Sequence, residues 1–136
     1  MTLQEKKQQI IDDFSLYDEW LDKYEYLIEL GKSLPPYPEE KKTDDRLIKG
    51  CQSRVWLDAQ MSGGLLEFSA DSDAVITRGI ICLLISVYSG RTPAEILSDD
   101  FSFLETIGLK ENLSPTRANG LLSMIQTIRN KASENV

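Results

Sequence analysis

The chain has 136 residues, of which 41% are apolar and 27% charged; this suits one globular domain and excludes global disorder and fibrous repeats. Fifteen Lys and Arg against 22 Asp and Glu give a net charge of −7, so no general attraction to nucleic acid or to anionic membranes is expected. Two cysteines and no histidine exclude a disulfide-rich scaffold, a four-cysteine metal site, Ser-His and Cys-His catalysis and a His-ligated metal.

The first third of the chain reads as helix. Leu3, Ile10, Ile11 and Phe14 form one helical stripe. After a break near Ser15, Trp20, Tyr24, Leu27 and Ile28 form a second. Gly31 is expected at C′ of that helix, and Pro35, Pro36 and Pro38 prevent its resumption. Residues 32–46 are a long polar connection, of the kind that often carries function.

From Arg54 the period changes to two. Val55, Leu57, Ala59 and Met61 share a face, Ser62-Gly63-Gly64 is a hairpin turn signal, and Leu66, Phe68 and Ala70 alternate beyond it. An antiparallel hairpin is expected, with a third edge strand if Leu47-Ile48 joins. Asp71 or Ser72 is expected to cap a helix running to about Ser89, nearly all apolar in its second half and therefore central.

Thr92-Pro93-Ala94-Glu95 is a capping box with Pro at N1, and a short element around Phe101, Phe103, Leu104 and Ile107 closes at Gly108. Ser114 then caps a last helix whose buried stripe is read as Leu121, Leu122, Ile125 and Ile128. The sum is an α+β fold, a small antiparallel sheet packed by helices, in one domain over residues 1–136. Residues 1–9 are polar and lead into no apolar signal region. The longest apolar run, residues 80–87, is too short to span a bilayer. A cytoplasmic location with reduced thiols is expected.

Without histidine, the candidate reactive group is a thiol. Cys82 falls in the apolar helix and reads as a small core residue. Cys51 lies in Lys49-Gly50-Cys51-Gln52-Ser53-Arg54, between the long connection and the first strand. Gly50 permits a sharp turn. Lys49 and Arg54 would favour the thiolate, while Asp44 and Asp45 would oppose it. These local features leave both a reactive thiol and an inert loop cysteine open. Arg117, at N3 of the Ser114-capped helix, sets a cation at the positive end of the helix dipole; it either marks function or reaches solvent. Gly120 in the same helix suggests close packing of another segment.

Gly50-Cys51-Gln52-Ser53-Arg54-Val55-Trp56-Leu57 resembles the signature around the sulfur-accepting cysteine of the SufE/CsdE cysteine-desulfuration proteins. The likeness extends over most of the chain, through residues 24–35 (YEYLIELGKSLP), Ser72-Asp73-Ala74 with Gly79, Thr92-Pro93 and residues 113–121 (LSPTRANGL). Asn112 departs from the pattern, since many members carry histidine there. The resemblance implies helices around a small antiparallel sheet, as in scaffold proteins of the IscU type. It implies a sulfurtransferase-type persulfide carrier, rather than an independent enzyme, that stimulates a PLP-dependent cysteine desulfurase of the SufS or CsdA kind. Cys51 would accept the sulfur and pass it to a SufBCD-like iron–sulfur assembly scaffold, and PLP would belong to the partner, with no cofactor or metal on this chain. By the same likeness Arg117 would lie in the surface region around the acceptor loop, with a role in docking or in tuning the thiolate, and Gly50, Gln52 and Arg54 would be supporting residues. The alternative is an adaptor that activates a desulfurase by binding without carrying sulfur. Assembly of a cluster on this chain is disfavoured, because such sites need three or more soft ligands.

Overall fold

The computed structural model describes residues 1–136. Its first two helices form where the apolar spacing sets them. Helix α1, Leu3–Ser15, opens on a capping box in which Thr2 and Glu5 satisfy each other's backbone N–H groups, and it buries Leu3, Ile10 and Phe14. Helix α2 spans Trp20–Lys32. Gly31 lies inside its last turn rather than at C′. The reason is packing: a Cβ at Gly31 would stand 2.9 Å from the amide nitrogen of Gly79.

The connection after α2 is tied down. It holds two 3₁₀ turns, Glu39–Lys41 and Asp44–Arg46, and buries Tyr37. Lys42 pairs with Asp71 at 3.2 Å and lies over the Trp56 ring. Arg46 and Lys41 both pair with Asp58, at 2.7 and 3.4 Å.

Strands β1, Val55–Ser62, and β2, Leu65–Ser72, pair antiparallel about the two-residue turn Gly63-Gly64, with Val55 opposite Ser72 and Leu57 opposite Ala70. The expected third strand reduces to one bridge, Leu47 to Trp56, because the chain turns away at Lys49-Gly50. Helix α3, Val75–Tyr88, starts later than expected and lacks a side-chain cap. Strand β2 extends through Ser72, so the two expected caps serve the junction instead. Asp71 pairs with Arg78 and Lys42, while the Ser72 hydroxyl donates to the Arg54 carbonyl and accepts from the Ala74 N–H.

Ten of the 14 residues of α3 are buried, which makes it the central element, packed by α2 on one side and the hairpin on another. Helix α4, Pro93–Ser98, keeps its capping box, and α5 is the single turn Phe103–Thr106. Helix α6, Pro115–Glu134, is capped by the Ser114 hydroxyl, which accepts from the Arg117 N–H. Its buried line is Leu121, Met124, Ile128 and Ala132. Leu122 faces solvent instead, one residue off the line that a 3.6-residue period draws. The fold is thus α+β, a two-stranded antiparallel sheet packed by helices, and no helix is long and apolar enough to cross a membrane.

Asp99, buried after α4, joins distant parts of this fold. Its carboxylate accepts from Lys7 of α1, from the Tyr88 hydroxyl at 2.6 Å and from the Phe101 N–H at 3.2 Å. Tyr88 stacks on Phe101 with ring centroids 4.2 Å apart. Desolvation and the adjoining carboxylate push the Tyr88 phenol far above its ordinary range, so it stays a donor.

Candidate functional site

Residues 49–54 form a short loop closed at its base. The Ile48 N–H donates to the Val55 carbonyl at 2.8 Å, and the Arg54 N–H donates to Asp73 at 3.0 Å. The Asp73 N–H returns a bond to the Arg54 carbonyl at 3.2 Å. Cys51 is therefore presented by a loop fixed at both ends. Gly50 makes the turn with φ +93°, a conformation that L side chains rarely adopt. A Cβ there would also stand 2.3 Å from the Ser123 Oγ.

The turn lays Cys51 on the N-terminal half of α6. Its thiol donates to the Gly120 carbonyl at 3.6 Å, and a Cβ at Gly120 would meet the sulfur at 3.4 Å. The close packing expected at Gly120 is thus packing of Cys51 itself.

Beside the sulfur is a cavity of about 230 Å³. Its floor is Thr77 and Ile80 of α3 with Met124 of α6, and its wall is Gln52, Ser53, Ser114, Thr116 and Arg117. Periodicity gave no sign of Thr77, Met124 or Ser123 as site residues. Thr77 and Ile80 are three apart on one face of a helix read as central from its apolar second half, which is the one signal available for them.

The structure brings Cys51, Gln52 and Arg117 to one cavity, with Gly50 shaping the turn. Arg54 contributes its backbone; its side chain is exposed and lines no part of the cavity. Burial pushes the Cys51 thiol above its ordinary value of 9.0, and neither the nearby cations nor Asp44 and Asp45 add a shift of their own. The resting thiol is protonated at neutral pH. Cys82 is buried, donates to the Leu30 carbonyl at 3.1 Å, and is likewise pushed up by burial. Asn112 uses its side-chain amide to donate to the Gly108 carbonyl, while its own carbonyl accepts from the Tyr24 hydroxyl. No group of three or more His, Cys, Asp or Glu side chains converges to hold a metal ion.

Known proteins resemble this chain over most of its length. An uncharacterised SufE-like protein of Rhizobium etli is 47% identical over 129 residues, covering 91% of this chain and 87% of that protein. A second, from Rhizobium meliloti, is 46% identical over 129 residues, covering 91% of this chain and 92% of that protein. In solved structures, a hypothetical protein from Thermus thermophilus superposes with a TM-score of 0.78 at 21% identity, covering 96% of this chain and 95% of that one, which establishes a shared fold. The family model for SufE, the Fe-S metabolism associated domain, matches residues 8–132, and the chain belongs to that family.

Proposed function

We propose that this chain, acting as one domain in the cytoplasm, is a persulfide acceptor and carrier. It takes sulfur from a PLP-dependent cysteine desulfurase of the SufS or CsdA kind and delivers it to a SufBCD-like iron–sulfur assembly scaffold. The observation that carries this reading is the placement of Cys51: the more exposed of two free thiols, half-buried on a tight loop, beside a cavity with room for one more sulfur.

In the transfer, Cys51 loses its proton and its thiolate attacks the outer sulfur of the donor persulfide. The donor S–S bond breaks, a new S–S bond forms on Cys51, and the donor cysteine leaves as thiolate and takes up a proton. Oxidation state is conserved overall, so no external oxidant or reductant enters. In this role Gly50 sets the turn, Arg54 holds the loop base through its backbone, and Gln52 and Arg117 line the space into which the added sulfur projects. The chain brings no cofactor of its own, and PLP acts on the partner.

A second reading, an adaptor that activates a desulfurase by docking alone, draws on one observation, the partial burial of Cys51, which disfavours the thiolate that sulfur transfer uses. Cys51→Ser separates the two when sulfide release by a purified cysteine desulfurase is followed with excess cysteine. A carrier variant drops to the rate of the desulfurase alone. Stimulation equal to that of the unaltered chain overturns the carrier reading.

A further inference from the structure

Four cations have no carboxylate, hydrogen-bonding or aromatic partner for their side chains: Lys49, Arg54, Lys110 and Arg117. Every other Lys and Arg in the chain has one. The four are not scattered. Lys49 and Arg54 bracket the Cys51 loop, and Arg117 lines the cavity beside the sulfur. Lys110 opens the 3₁₀ turn Lys110–Asn112, which packs on α6 just before its cap Ser114, another cavity residue. All four are exposed.

The carboxylate bonded to the loop base and the one carboxylate on these segments are both turned to other uses. Asp73 accepts from the Arg54 N–H. Glu111 folds back, its carboxylate 3.9 Å from where a Cβ of Gly108 would stand. Segments 49–54 and 110–117 therefore carry four cations and one acid, in a chain whose net charge is −7.

We propose that these four side chains form a cationic docking collar around Cys51 that fits an acidic protein surface surrounding the donor's sulfur-bearing group. The identity of the donor rests on the carrier reading above; the charge of its rim follows from the collar. A collar of one sign on a molecule of the other steers an acidic partner toward the thiol and repels it from the remaining faces. The same net charge disfavours a nucleic-acid rod or an anionic bilayer, which would press acidic flanks against phosphates.

The test is the association rate of the full chain with a purified cysteine desulfurase, measured by stopped flow from about 20 to about 500 mM NaCl, where screening shortens the reach of surface charges to a few ångströms. The collar predicts a fall of at least about tenfold for the unaltered chain across that range. It predicts that Lys49→Glu/Arg54→Glu/Lys110→Glu associates at least about tenfold more slowly at low salt and converges with the unaltered chain at high salt. The salt series on the unaltered chain decides the matter even if the triple variant folds poorly. Sulfur transfer with no salt dependence overturns the collar and leaves the carrier reading intact. Salt-dependent association without sulfur transfer keeps the collar and overturns the carrier reading. Binding to phosphatidylserine vesicles or duplex DNA at about 150 mM NaCl also overturns the collar's assignment to a protein partner.

Discussion

The Cys51 thiol rests against the Gly120 carbonyl with its proton retained, because burial disfavours the thiolate and no cation offsets it. The sign of its pH dependence follows. With the thiol raised above 9.0, the thiolate fraction at neutral pH falls below that of a free cysteine peptide. Alkylation of Cys51 by iodoacetamide, read by peptide mass, is therefore slower than for the peptide. It rises roughly tenfold per pH unit up to and beyond the peptide's own midpoint. A rate that levels off near neutral pH contradicts this. At this scale the sequence was informative where one residue acts through its own backbone. Gly50 read as a turn residue, and Gly120 read as a site of close approach. It was silent where a side chain acts through a distant neighbour: Ser123 over Gly50, or Thr77 in the cavity that Cys51 also lines, are met only once α3 and α6 are packed.

Among elements, the helix starts were legible wherever the signal is local. The Thr92 capping box and the Ser114 cap form as spacing predicts, because each joins residues three apart. The start of α3 was misplaced because Asp71 and Ser72 are good caps that long-range partners claim first: Lys42 for one, the Arg54 carbonyl for the other. Gly31 was misread for a related reason. A glycine near a helix end reads as a terminator, yet here it allows two backbones to meet. The contact is tightest from the other side, where a Cβ at Gly79 would lie 2.2 Å from the Leu27 carbonyl oxygen. Gly79→Ala must therefore force α2 from α3, since the obstacle is backbone rather than a movable side chain. A loss of about 1–3 kcal/mol is expected, read as a lower urea midpoint, and an unchanged midpoint contradicts the packing described.

At the level of the whole molecule, a core drawn from α1 through α6 holds the cavity walls in place, while the loop that carries Cys51 stands at the edge. The long connection, read from sequence as a stretch of the kind that often carries function, is fastened by Tyr37, Lys42 and Arg46. Any movement of the sulfur toward a partner thus belongs to residues 50–53, between the two bonded ends of the loop. Lys7 shows the limit of pattern reading most clearly. As part of a polar leading segment it looks solvated, but it is buried against Asp99, 92 positions away.

The central claim, that Cys51 carries sulfur between proteins, is tested most directly by intact mass after incubation with a cysteine desulfurase and cysteine. The account predicts a gain of one sulfur, about 32 Da, mapped to the Cys51 peptide, removed by reductant and absent in Cys51→Ser. An unmodified Cys51, or the same gain retained in Cys51→Ser, would contradict it.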